Sequence, residues 1–538
     1  MTKKIIYVLL GLSLIIIGSL TFRTFPSKKT PPSFCQKIRI SFPDDIRSLD
    51  PRVGIDNSSP HVIKMLFDGL FRRGLNGDLE PAIAKSYTVS KDGKIYTFHL
   101  RPCQWSDGEE VTAYDFEYAW KKSVDPHAFD IRQGAFYFYT IKNAEACVLG
   151  EASADDVGIY AKDSKTLVIE LENPVPYFLE LTASSPFYPV PKHIAEKNEQ
   201  WGLENDLVCN GPFKLRKWVR NDKIKVRKNP LYWDSHNVQI EKINIKIIKD
   251  EITAFYLFEK GELDWIGSPL QRISCDVSHG LEDGNHFHSI NSAFMYWFFV
   301  NTERYPLNNK KLRQALCYAI DRNAIVYNVF DNLGEPALSV LSPVLSVQDQ
   351  PYFNDDNVWL AKRLFKEALH EMGITQKELP DIHLSYVYNS EIHHRIAQAV
   401  QDNWRKVFGI QAKLERAEWH VHYDNVSKGN YDLGFMGWFP SAQDPILILQ
   451  IFKNKIDQIN KSNWQNSTYR DLLDLSDQSI DLEKRRKLLA KAETILMEQM
   501  PVIPICSLKR TYGKNPKLKK VLVSALENID FKYAYLEE

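Results

Sequence analysis

Along the chain, short runs in which apolar and polar residues alternate are separated by longer runs in which apolar residues return every three to four positions. The period-two or β-branched runs 37–42 (KIRISF), 95–100 (IYTFHL), 166–171 (TLVIEL), 223–228 (KIKVRK) and 243–248 (INIKII) each predict a strand. The helical runs carry start signals. Thr112 with Asp115 three residues on has the form of a capping box, and Asn309 stands just ahead of another helical run. Helices are also predicted over 356–372, 393–408 and 482–500. The mixture predicts an α/β fold. Pro and Gly cluster over 174–191 and at Gly211-Pro212, where crossings between lobes are expected. No internal repeat is present, which argues against a solenoid.

The N-terminus departs from this pattern. Lys3 and Lys4 precede 18 uncharged residues, 5–22 (IIYVLLGLSLIIIGSLTF), and a polar, proline-containing run follows. That order is the order of an export signal. As a helix the segment would span about 27 Å, close to the thickness of a bilayer core. No small-x-small cleavage site closes it, and Cys35 lies too far beyond it for a lipoprotein signal. A cleaved secretory signal and an uncleaved inner-membrane tether both remain open, and either sends the chain to the periplasm. Nothing after residue 36 is apolar for long enough to cross a membrane.

Length and charge narrow the classes. The 538 residues, 44% apolar and 12% aromatic, exclude a disordered or collagen-like chain and suit two to four domains. With 68 basic and 68 acidic side chains there is no overall field to hold nucleic acid. Seven scattered cysteines without a C-x-x-C pair exclude a zinc ribbon. Cys103 and Cys147 are the nearest candidates for a bridge, with buried free thiols as the alternative. No G-x-S-x-G, H-E-x-x-H, Walker or G-x-G-x-x-G motif occurs, so neither an enzyme nor a cofactor is expected. His286 with His288 and His420 with His422 would face one side of a strand, but no third ligand is spaced to complete a metal site. Twelve Trp, and the aromatic crowding in FMYWFF, AEWHVHYDN and DLGFMGWFPSAQDP, point to large cores or to a ligand cleft.

A set of longer motifs goes further. SLDP (48–51), WSDGEEVTAYDFEYAW within 66–126, NPVPYFLELTASSPFYPVPK (173–192), NGPFKLRKWV opening 210–234, GELD (261–264), LRQALCYAIDRNAI (312–325) and YDLGFMGWFPSAQDP (431–445) follow one another in the chain. In this order they resemble extracytoplasmic solute-binding proteins of the oligopeptide/dipeptide ABC-importer type, from residue 38 to the C-terminus. The resemblance implies an α/β, two-lobed hinged clamp with an additional third lobe. Lobe I is then 37–76 with 201–285 and 503–538, lobe II is 77–200, lobe III is 286–502, and 1–36 is signal or anchor and linker. It implies a substrate-binding component that captures a peptide or peptide-like solute outside the inner membrane and passes it to a permease, with ATP hydrolysed by separate subunits. The alternative is a non-peptide solute, such as a metal chelate, cell-wall fragment or small glycan.

The same resemblance nominates ligand contacts. They are Trp419, Gly437, Trp438, Phe439 and His393 from the far lobe, and Tyr139, Gly267 and Ser268 from the first-lobe side. Three positions after the Gly-Trp motif the family's well-known binders place an acid that holds the peptide amine; here that residue is Ser441. The basic residues that some members use for the peptide carboxylate fall at Val426 and Phe435. Asp444 reads instead as a helix cap before Pro445. Phe294 and Phe439 stand where some members have a disulfide, so an aromatic contact is expected between them.

Overall fold

The computed structural model describes residues 36–538, apart from 55, 57, 76, 129–131, 275–276, 278–280, 282–285, 456–458 and 480. The N-terminal apolar segment and Cys275 lie outside the described residues. The first strand, β1 (Lys37–Phe42), sends Ile38, Ile40 and Phe42 inward. The chain then builds a separate antiparallel sheet from β2 (Ala84–Val89), β3 (Ile95–Leu100), β4 (Ile159–Asp163) and β5 (Thr166–Glu170), in the order β2-β3-β5-β4. Helix α1 (Ala113–Val124) packs on β4 and β5. Its start is the predicted capping box: the Thr112 backbone N–H donates to Asp115 Oδ2 at 2.8 Å.

The chain next returns to β1. Strands β6 (Phe213–Val219), β7 (Lys223–Lys228) and β8 (Lys242–Ile247) complete a sheet in the order β1-β8-β7-β6, with β1 parallel to β8. Buried Ile38, Ile243, Val226 and Leu215 sit side by side across it. Helix α2 (Glu251–Glu259) and the short strand β9 (Trp265–Gly267) follow. Arg72 ties this region to the C-terminal tail, its Nε 2.7 Å from Asp530 and its Nη1 3.0 Å from Asp68, all three side chains buried.

The third sheet is assembled from the rest of the chain. Its members are β10 (Phe287–Val300), β11 (Gly334–Pro336), β12 (His383–Val387), β13 (Lys413–Ala417), β14 (Leu433–Trp438) and β15 (Val502–Lys514), with β9 at one edge. The order is β9-β15-β10-β14-β12-β13, and β11 pairs with β15. Helices α3 (Lys310–Tyr318), α4 (Val358–Met372), α5 (Glu391–Phe408), α6 (Trp419–Ser427), α7 (Ile446–Leu449) and α8 (Leu482–Gln499) surround it. Asn309 caps α3 as expected, accepting from the Leu312 N–H at 3.0 Å. The helices predicted from 393 and to 500 run as α5 from Glu391, capped by Ser390, and α8 to Gln499.

Three expectations are corrected. Cys103 and Cys147 are both free and buried rather than bridged, and burial pushes the Cys103 thiol up to about 12. His420 and His422 lie on α6 instead of a strand, so the i, i+2 spacing splits them: His422 is buried and His420 exposed. Phe294 has its ring contact with Tyr296 and lies under the Arg510 guanidinium; no ring contact joins it to Phe439. Among the described residues no group of His, Cys, Asp and Glu is arranged to hold a metal, and no helix is long and apolar enough to cross a membrane.

Candidate ligand-binding site

Strands β10 and β15 are long, at 14 and 13 residues, and run from β9 at one end to β14 at the other. Phe287–Asn291 pairs with the end of β15, while Met295–Val300 pairs both with its start and with β14. Between Asn291 and Met295 the register jumps, and three residues of β10 face the single residue Leu508. The freed backbone groups find new partners. The Ala293 N–H donates to the Ala525 carbonyl at 2.9 Å, and the Phe294 N–H donates to Ser292 Oγ at 3.1 Å. Glu527 fastens both long strands from outside, accepting from Ser292 Oγ at 3.0 Å and from Arg510 Nε at 2.6 Å. A bulge bends a strand and re-aims its side chains. This one turns the Phe294 ring across Gly437, where any Cβ would fall 2.1 Å from Phe294 Cζ.

From Phe294 an aromatic wall extends along one face of β10 and β14. Its ring is 4.8 Å from Tyr296, Tyr296 is 5.2 Å from Phe435, and His393 stands edge-on 5.6 Å from Tyr296 and 4.9 Å from Phe435. His393 is aimed there by the start of α5, where Ser390 Oγ accepts its backbone N–H at 3.3 Å. Burial, with His422 adding to it, lowers His393 to about 4, so its ring is neutral at ordinary pH. His422 donates Nε2–H to the Phe435 carbonyl at 3.0 Å, and the Nδ1 atoms of both histidines are buried without a partner.

The nominated residues separate into groups. Gly437 and His393 meet on this wall through Phe294 and Tyr296. Trp438 is on the opposite face of β14, stacked 6.4 Å from the buried Trp297. Phe439 and Ser441 follow the strand and are exposed. Trp419 opens α6, 44% exposed, 5.8 Å from Tyr423 and without ring contact to Trp438. Gly267 and Ser268 sit at the β9 end of the ribbon. Gly267 has φ +88° and lies so close to Thr511 that a Cβ would approach its carbonyl to 2.6 Å, and the Ser268 N–H donates to the same carbonyl at 2.9 Å. Tyr139 is half-buried just after the 3-10 turn Arg132–Phe138, between α1 and β4 in sequence.

The charges expected for peptide ends are absent from their usual places. Val426 and Phe435 are fully buried core residues. Asp444 stands one residue ahead of Pro445, which is the cap of α7, and accepts the Ile446 N–H at 3.0 Å; Arg485 holds it through two contacts of 2.7 and 2.8 Å, so its carboxylate is already paired. A cation that no motif indicated stands nearby. Arg272, exposed in the loop after Ser268, makes no ion pair among the described residues, yet its charge reaches the Tyr296 phenol, which burial raises and Arg272 and Arg510 pull down. Its neighbour Gln271 is buried with Nε2 lacking a partner.

Two sheet-bearing regions joined by a pair of continuous, locally broken strands define a hinged solute-binding clamp. The chain belongs to the bacterial extracellular solute-binding proteins, family 5, whose profile matches residues 78–460. It is 39% identical to the oligopeptide-binding protein OppA of Bacillus subtilis over 91% of each chain. It is 32% identical to the dipeptide-binding protein DppE of the same organism over 90% of this chain and 89% of that one. Among solved structures, the periplasmic murein tripeptide-binding protein MppA in its unliganded open form superposes with a TM-score of 0.83 at 28% identity, covering 94% of this chain and 98% of that one. A second structure, of Escherichia coli MppA, gives 0.72 at the same identity, covering 94% and 99%. Two cavities of about 500 and 280 Å³ lie away from this wall, the first beside Pro380 and Gly409 and the second beside Tyr352 and Asn357.

Proposed function

We propose that this chain captures a peptide outside the inner membrane, closes on it about the Ser292–Phe294 break, and hands it to the permease of an ABC importer whose ATPase is a separate subunit. One observation carries the reading: β14 has an unfilled strand position. Strand β12 pairs with β14 at Leu433 and Gly434, and beyond the Phe435 carbonyl, which His422 engages, one flank of β14 has no strand beside it among the described residues. By the two-residue alternation of a strand, the Gly437 backbone points to the same flank as the Phe435 carbonyl that His422 engages. An extended peptide laid there gains main-chain hydrogen bonds whatever its side chains are, with the Phe294–Tyr296–His393 wall under it.

In this reading Arg272 and Gln271 take the carboxylate end as the lobes close, Gly267 and Ser268 line that side, and Trp419, Trp438 and Phe439 border the aromatic side. The moving bodies are 37–76 with 201–285 and 503–538, 77–200, and 286–502, with the boundary on the two long strands drawn at the break, so that 286–291 moves with the first body and 503–507 with the last. Ser441 supplies no charge for the amine, so a non-peptide solute bearing a carboxylate is the competing reading. The segment 5–22 stays as a membrane tether, a reading supported by the lack of a cleavage site after it. Native mass spectrometry of the protein purified without denaturation tests the function: co-purified peptides of a few residues are expected, and a bound glycan, chelate or steroid would overturn it. The intact mass of the protein from its native membrane tests the tether.

A further inference from the structure

The outer face of the β1-β8-β7-β6 sheet carries a lattice of positive charge that the peptide site does not use. Register places Lys37, Lys242, Arg227 and Lys214 side by side across all four strands. In the next outward row, Lys225 and Lys217 are directly paired. Like charges opposite one another destabilise a sheet, and in a chain with 68 acidic residues for 68 basic ones the crowding comes from placement, not composition. None of these six has a carboxylate within 4 Å among the described residues. The neighbouring cations do: Arg39 pairs with Asp264 at 2.7 Å, Lys223 with Asp222 at 2.6 Å and Lys246 with Glu262 at 3.9 Å. Lys242, Arg227 and Lys217 are exposed, and the other three are half-buried.

We propose that this face docks on an anionic phospholipid surface, the membrane that holds the N-terminal segment. The inference rests on the tether proposed above. Lys37 is both the first residue of β1 and the corner of the lattice, so the tether joins the fold at the edge of the charged face. Residues 23–36 separate that corner from the apolar segment. Fourteen residues reach at most about 50 Å, which limits how far the lattice can stand from the headgroups. Both rows are polar throughout and offer no apolar anchor of the kind a protein partner needs at the centre of its footprint, whereas basic clusters beside a membrane anchor are drawn to anionic lipid. Docked this way, the first sheet is held against the membrane and the third is left free to swing.

The full chain, purified in detergent and inserted into vesicles, provides the test by residue-resolved lysine acylation. In vesicles with roughly one-third phosphatidylglycerol at about 0.1 M salt, Lys214, Lys217, Lys225 and Lys242 are expected to react at least about threefold more slowly than in phosphatidylcholine vesicles. Lys406 and Lys428, at 67% and 64% side-chain exposure on the third-sheet side, should be unchanged. The protection should vanish at about 1 M salt, where the screening length falls from about 10 to about 3 Å. It should also vanish at Lys214 and Lys217 in the K225E/R227E/K242E variant, with peptide binding retained. Equal reactivity in the two lipids, or protection that survives high salt, would overturn the proposal. Flotation with neutral vesicles reports the tether separately, since failure there would remove the anchor while leaving the lipid-dependent protection to be read on its own.

Discussion

The two ends of the β10–β15 ribbon are built from different chemistry. At the β14 end Phe294, Tyr296, Phe435 and a neutral His393 form a wall without a free charge. At the β9 end the loop after Ser268 presents Arg272, which has no ion pair among the described residues, and the Gln271 side-chain amide, whose Nε2 is buried without a partner. In the proposed mode the clamp reads the ends of its guest asymmetrically: contact area and backbone pairing on one side, charge on the other. The same contrast accounts for the loss of the acid at Ser441 without loss of the fold, because nothing in the wall depends on that charge.

The comparison breaks most completely at Gly437. A methyl group there must displace the Phe294 ring, so Gly437→Ala should abolish measurable peptide binding by calorimetry, with a folding cost of about 1–3 kcal/mol from overpacking. Binding kept within threefold would show that the wall is not the ligand's bed. Arg272→Ala comes next. It should weaken peptides with a free C-terminus by about 10- to 100-fold, the size of a lost charge-assisted contact, while leaving C-amidated peptides as they were. N-acetylation should change affinity by less than about twofold, because the amine has no partner carboxylate; a large loss would restore a conventional amine anchor.

Acidity acts on the third-sheet region in two directions. Burial pushes the Asp477 carboxyl up to about 6, and its Oδ1 has no partner. The folded state therefore holds the proton more tightly than the unfolded chain does, and this group costs stability as pH rises from about 4 to 6. Asp477→Asn should raise the melting temperature at pH 8, by an amount corresponding to about 3 kcal/mol, and have little effect at pH 4. His393 has the opposite sign. With a folded value near 4, below that of a free imidazole, it removes stability as pH falls from about 6.5 towards 4, and His393→Gln should flatten that limb of the profile.

What the sequence disclosed follows the range of the forces involved. Strands 37–42, 95–100 and 223–228 and the caps at Thr112 and Asn309 were legible because alternation and capping are decided within a few residues. The helix holding His420 and His422 was not, since a short β-like run was overridden by the Glu418 cap and by packing against β14. The break at Ser292–Phe294 is held by Ala525 and Glu527, more than two hundred residues away, and no local pattern signals it. Arg272 sits in no motif, and the pull of its charge on the Tyr296 phenol arises only in the folded chain. Gly437 and His393 were nominated by family likeness, and their meeting through Phe294 and Tyr296 depends on that same break.

Closure about the break is the central claim, and small-angle scattering of the full chain with and without a mixture of three- to five-residue peptides tests it most directly. With peptide bound, the radius of gyration should be smaller by about 1 Å, as expected for hinge closure around a ligand. An unchanged radius at peptide concentrations where calorimetry shows the site to be full would contradict the account.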